Sequence, residues 1–99
     1  TKAKELYNHI GRAYGVLANA HIVSSKESMN QLSLIRLGVK LGMFKDLDVA
    51  VVDGLFLATQ PAHLQQLVGG KLSGEERDVH RADLLRSRLI GVKGVQFSG

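Results

Sequence analysis

The chain has 99 residues, enough for one compact domain that hides roughly two-thirds of the surface its unfolded form would expose. Its 44% hydrophobic and 22% charged residues, with a single proline, form an ordinary globular composition, and the lack of cysteine excludes disulfides, thiolate metal sites and a cysteine nucleophile. A formal net charge of +4 and a pI near 9.7 favour anionic partners without choosing among nucleic acid, an anionic membrane and a phosphorylated ligand.

From Lys2 to about Ala18, apolar Leu6, Ile10, Tyr14 and Leu17 recur at steps of three and four, the period of a helix with one buried face. Gly11 and Gly15 on that helix each cost up to about 1 kcal/mol relative to alanine, so close packing of another backbone is expected there. His21-Ile22-Val23 is short and β-prone and reads as an extended connection. Ser24 followed by Glu27 has capping-box spacing, with the serine oxygen accepting an orphan amide and the glutamate reaching back.

The second helix that starts there carries Met29, Leu32, Leu34, Ile35, Leu37, Val39 and Leu41. This apolar set is too broad for one stripe, so burial on more than one side is expected, Leu37 included, and a subunit interface explains the excess. Gly42 suits a left-handed cap at its end. Asp46 or Asp48 can cap a third helix through Val51, Val52, Leu55 and Phe56. Pro61 suits the first turn of a short fourth helix reaching about Val68, and Gly69-Gly70 makes a flexible joint.

Ser73-Gly74-Glu75-Glu76 is a second capping-box match, opening a last helix through Arg77, Asp78, Arg81, Leu84, Leu85 and Leu89. Beyond Gly91 no helical period continues, so residues 91–99 are expected to form a flexible tail. The expectation is a mainly α fold, a small bundle of about five helices with one short extended segment. It forms a single domain over residues 1–99.

Nothing after the N-terminal lysines resembles a signal peptide, and no stretch approaches about 18 uncharged apolar residues. Neither secretion nor membrane spanning is expected, and the cytoplasm is the natural compartment. Thr1 in place of an initiating methionine points to an excised domain or a processed product.

Arg77 and Arg81, four apart, lie on one face of the last helix, about 6 Å apart along its axis, and can converge on one anion. Asp78 can orient an arginine or accept hydrogen bonds from a cationic ligand. Phosphoarginine has the complementary layout: a dianionic phosphoryl group for two arginines and guanidino N–H groups for a carboxylate. Spacing alone is better served by weak salt bridges on a solvated face, together with Glu75, Glu76 and Asp83, since exposed ion pairs are common.

The wording of the chain adds to this reading. Arg12-Ala13-Tyr14-Gly15-Val16-Leu17, Ser24-Ser25-Lys26-Glu27, Leu32-Ser33, Arg36-Leu37-Gly38 and Leu41-Gly42 form one series of blocks. Thr59-Gln60-Pro61-Ala62-His63-Leu64-Gln65 and Glu75-Glu76-Arg77-Asp78-Val79-His80-Arg81-Ala82 complete it. From about Ile10 to Leu89 these blocks resemble the C-terminal domain of bacterial protein-arginine kinases, in the ATP:guanido phosphotransferase superfamily.

In that family the Arg-Asp-x-x-Arg-Ala motif lines a phosphoarginine pocket outside the active site. The resemblance therefore implies that Arg77, Asp78, Arg81 and Ala82 bind phosphoarginine. It also implies a homodimer that senses phosphoarginine, free or on proteins, and allosterically regulates a kinase in protein quality control. The family's catalytic residues belong to a preceding domain, so no catalysis is expected of this chain alone. Leu34 and Lys40 depart from the pattern, where acidic residues are expected, and His80 occupies a variable position.

No cofactor is expected. His9, His21, His63 and His80 lack the close pairing of a helical metal site, Ser24-Ser25 reads as a cap rather than a nucleophile, and Gly69-Gly70-Lys71 lacks the full phosphate-loop pattern. The rival readings are a basic helical nucleic-acid-binding domain and a purely structural dimerisation module. Against the first, the basic residues are scattered and the last helix also carries acids.

Overall fold

The computed structural model describes residues 2–92, so the part of the expected tail beyond Val92 lies outside the described residues. Five helices follow one another: α1 Lys2–Ala18, α2 Ser25–Lys40, α3 Val49–Ala58, α4 Pro61–Val68 and α5 Gly74–Leu89. No strand occurs among the described residues, and the stretch over 21–24 is an irregular connection.

Local chemistry sets the boundaries. Ser24 caps α2 by accepting the Glu27 amide at 3.1 Å, although Glu27 does not return the bond; its Oε1 accepts instead from Gln31 Nε2 at 2.6 Å. Asp48, not Asp46, caps α3 through the Val51 amide at 2.8 Å. Pro61 opens α4, where its missing N–H would have had no helical partner. Ser73 and Glu76 form the full capping box of α5. At the other ends, Gly42 and Gly69 take left-handed backbone at φ 79° and 80°, as caps of α2 and α4.

The end of α1 uses an alanine for the same purpose. Ala20 sits at φ 59°, and the amides of Ala20 and His21 return to the Leu17 and Val16 carbonyls in the Schellman pattern.

α1 packs against α2 and α5, α2 against α3, and α4 bridges α3 and α5. The core gathers Ile10, Ala13 and Leu17 of α1 with Leu32 and Ile35 of α2, Leu85 and Leu89 of α5, and Met43, Phe44 and Leu47 of the α2–α3 connection. Each large aliphatic side chain fully buried here contributes about 1.5–3 kcal/mol. Gly15 is not the site of close approach, since a Cβ there would meet nothing within 4 Å. The close approach is at Gly38, where a Cβ would come within 2.7 Å of both Ile10 Cγ2 and Phe44 Cε2. The crossing of α1 and α2 depends on that missing methyl.

Burial of α2 in the single chain is one-sided. Leu32 and Ile35 are fully buried, whereas Met29, Leu37 and Leu41 remain 42%, 37% and 46% exposed. Leu37 is thus a surface residue of the isolated chain, because the core is already filled from the opposite face of the helix.

Tyr14 joins the two ends of the fold. Its ring lies 5.7 Å from that of Phe44, and its hydroxyl donates to the Leu89 carbonyl at 2.9 Å, with the Val92 carbonyl at 3.3 Å. The Leu89 carbonyl, in the last turn of α5, thus accepts from Tyr14 as well as from the Val92 amide at 3.1 Å.

Candidate functional site around Asp78 and Arg81

The first two turns of α5 carry the motif, and the Ser73–Glu76 box fixes where that helix starts. Arg81 faces inward because the helical period puts it on the same side as Leu85, and it is only 2% exposed. An arginine so deeply placed requires acceptors for its donors and compensation for its charge. Its Nε donates to the Thr59 carbonyl at 3.3 Å, and its Nη1 to the Val23 carbonyl at 3.4 Å and to Asp78 Oδ1 at 2.6 Å.

The Thr59 carbonyl is well suited to this. Thr59 is the C-cap of α3, where unsatisfied carbonyls concentrate negative potential that favours a cation. Its own hydroxyl donates back to the Leu55 carbonyl at 2.8 Å, which seats the buried residue at the helix end. Arg81 therefore ties together three parts of the chain: the α1–α2 connection, the end of α3 and the first half of α5. Among the described residues no buried side-chain polar atom is left without a partner.

Asp78 is placed differently. Its side chain is 33% exposed, with Oδ1 engaged by Arg81 and no protein donor on Oδ2 among the described residues. Arg77 is half-buried and forms no ion pair among the described residues. The two arginines thus do not project side by side: one is committed to protein acceptors and the other keeps its donors. Ala82 is buried at 4% exposure, and His80 makes no hydrogen bond with its side chain among the described residues.

The cluster of Arg77, Asp78 and Arg81 carries a net single positive charge. Asp78 keeps one carboxylate oxygen without a protein donor among the described residues, and Arg77, its neighbour in sequence, keeps a guanidinium without an ion pair. Such a pair can accept N–H groups from a cationic moiety and donate to an anionic one at the same time. Val23 and Thr59 were not singled out as parts of this site from the sequence. Both act through backbone carbonyls, and only the helix end before Pro61 signalled one of them.

Elsewhere, Arg36 Nε lies 2.9 Å from Asp53 Oδ1 and joins α2 to α3 at the surface, a pair worth about 0–1 kcal/mol. Glu76 is held below the ordinary glutamate range chiefly by the Ser73 amide, then by the Ser73 hydroxyl contact, with His80 adding a smaller effect. Among the described residues no group of three or more His, Asp or Glu side chains gathers to hold a metal, and no helix is long and apolar enough to cross a membrane.

Comparison with known proteins gives a consistent picture. The family model of the protein-arginine kinase McsB C-terminal domain matches residues 3–98. The chain is 46% identical over 85 residues to the protein-arginine kinase of Geobacillus sp. (strain WCH70), covering 86% of this chain and 24% of that protein. It is 45% identical over 89 residues to that of Bacillus subtilis (strain 168), covering 90% and 24%. To that of Halothermothrix orenii it is 39% identical over 88 residues, covering 89% and 25%. The chain thus spans about a quarter of the length of these curated relatives.

Proposed function

Because the chain belongs to the protein-arginine kinase McsB C-terminal domain family, we propose that it binds phosphoarginine through Arg77, Asp78, Arg81 and Ala82 and so regulates a protein-arginine kinase. The observation that carries this reading is the 2.6 Å pairing of Arg81 with only one oxygen of Asp78, next to an Arg77 that has no ion pair among the described residues. In this scheme Asp78 Oδ2 accepts from the ligand's guanidino N–H groups and Arg77 donates to its phosphoryl oxygens. Arg81 supplies positive charge from behind and fixes the carboxylate.

The regulatory part rests on coupling. A ligand shifts an assembly only if it binds one state better than another. The exposed Met29, Leu37 and Leu41 on one side of α2 support a homodimer as that assembly, since isolated chains gain by covering such a stripe. The kinase activity belongs to a catalytic domain outside this chain. The working context is cytoplasmic protein quality control, with arginine-phosphorylated proteins as the source of ligand.

Calorimetric titration with phosphoarginine, with arginine and inorganic phosphate as controls, tests the binding. Saturable binding that requires the intact phosphoramidate, and weakens about tenfold or more in Arg77→Ala, is the expected result for a lost charge-assisted bond. Heat from phosphoarginine no greater than from the controls leaves dimerisation as the main role of the chain.

A further inference from the structure

Arg77, Arg81, Leu84 and Arg88 follow one another at steps of four, three and four, so they line a single face of α5. Below Arg81 along that face lies a cleft between α3 and α5, lined by Val51, Gly54, Leu55, Ala58, Leu84 and Arg88. A second cleft shares Gly54 and Ala58 with it and is lined further by Leu57, His63 and Leu67. Leu57 and Leu67 are 58% and 68% exposed there. The upper end of the first cleft adjoins the motif directly, because Ala58 immediately precedes Thr59, whose carbonyl receives Arg81 Nε.

We propose that the α3–α5 cleft is the polypeptide subsite of the phosphoarginine site: it takes an apolar side chain of an arginine-phosphorylated segment, a few residues from the phosphoarginine itself. This rests on the phosphoarginine reading above and narrows the ligand to phosphorylated polypeptide over the free amino acid. The dimensions agree. Asp78, whose free oxygen meets the ligand in this scheme, and Leu84 in the cleft wall are about 9 Å apart along the helix, and an extended chain advances about 3.3 Å per residue, so roughly three residues span the distance.

The chemistry of the walls agrees as well. The floor is made of small and aliphatic groups, and no side-chain acceptor lines the first cleft. Arg88 is exposed and forms no ion pair among the described residues, so the rim has the sign that suits a phosphorylated, anionic segment. Gly54 opens the floor, for a Cβ there would meet nothing within 4 Å. A larger residue at that position fills the cleft without disturbing the core behind it.

The test uses calorimetric titration of this chain and of Gly54→Leu, with thermal melting to verify that the variant folds. The probes are free phosphoarginine, a Gly/Ser peptide with one central phosphoarginine, and two versions of that peptide carrying leucine three positions before or after it. One leucine peptide is expected to bind about tenfold tighter than the plain phosphopeptide, the gain from burying one aliphatic side chain. Gly54→Leu removes that gain and leaves the affinity for free phosphoarginine unchanged. Equal affinities for all three peptides, or a gain that survives Gly54→Leu, overturn the subsite while leaving phosphoarginine binding intact. Failure of the parent chain to bind both free phosphoarginine and the phosphopeptides removes both readings together.

Discussion

Arg81 and Asp78 stand three residues apart on α5 with Nη1 2.6 Å from Oδ1, yet one side chain is 2% exposed and the other 33%. The pair spans the boundary between core and solvent. Its inner member is bound to two backbone carbonyls, and its outer member keeps an oxygen for a ligand. Truncation at the two arginines of the motif should therefore have opposite signatures. Arg81→Ala leaves the Thr59 and Val23 carbonyls without their donor and opens a cavity, so it should lower unfolding free energy by about 3 kcal/mol. Arg77→Ala should change stability by less than about 0.5 kcal/mol while weakening phosphoarginine binding. Urea unfolding of both variants, paired with titration, distinguishes the two; equal stability losses would contradict the division of labour.

Gly38→Ala should be costly for a helix substitution that otherwise raises helical propensity. The added methyl lies 2.7 Å from Ile10 Cγ2 and from Phe44 Cε2, so α1 or the α2–α3 connection must move. A loss of about 1–3 kcal/mol is expected by denaturant titration. Gly15→Ala, with nothing within 4 Å, should instead stabilise the chain by up to about 1 kcal/mol. The reverse order of the two would show that the helix crossing is elsewhere.

Stability should fall as the medium is acidified through the capping box of α5. Ser73 holds the Glu76 carboxylate below its ordinary value of 4.5. The folded state therefore binds that proton less readily than the unfolded state. The contribution is complete above the unfolded value and is lost as pH drops through the lower, folded one. In Glu76→Gln this component of the acid dependence should vanish, read from melting temperatures between pH 7 and pH 3. An identical acid slope in both proteins would exclude the box as its source.

Leu37→Asp should leave the isolated chain nearly as stable as before, because Leu37 is 37% exposed. If Met29, Leu37 and Leu41 face a second copy, the same change introduces an unpaired charge into that contact and should shift the dimer toward monomer. Sedimentation velocity over a range of concentrations reads this, and an unaltered dimer would remove α2 from the interface.

Much of the architecture was legible from end signals. Ser24, Asp48, Pro61, Ser73 and Gly42 each mark a helix terminus through chemistry that acts within four residues: the first four stand at the starts of α2 to α5, and Gly42 lies just past the end of α2. Depth was less legible. Helical periodicity gives the side on which Arg77 and Arg81 lie, but an advance of about 40° between them separates a solvent-edge arginine from a buried one. Nor could periodicity reveal which glycine meets a neighbouring helix. Gly15 and Gly38 are equally conspicuous in the sequence, and only the placement of Ile10 and Phe44 decides between them. The breadth of the α2 apolar set was visible, while the fact that the chain's own core uses only one side of it was not. The partners of Arg81 were hidden for a further reason: a backbone carbonyl has no letter of its own in a sequence.

The Tyr14 hydroxyl reaching Leu89 connects positions 75 residues apart in the chain. A ribosome releases α1 long before α5 exists, so the first helix can pack early against α2 but must wait for the last one to complete the cover of its Ile10–Leu17 face. Loop closure over that distance is entropically expensive, which places completion of the α1–α5 seam late in folding. The motif-bearing helix is thereby also the closing member of the domain. A fragment that ends before α5 lacks more than a ligand site: it leaves the N-terminal helix packed on α2 alone.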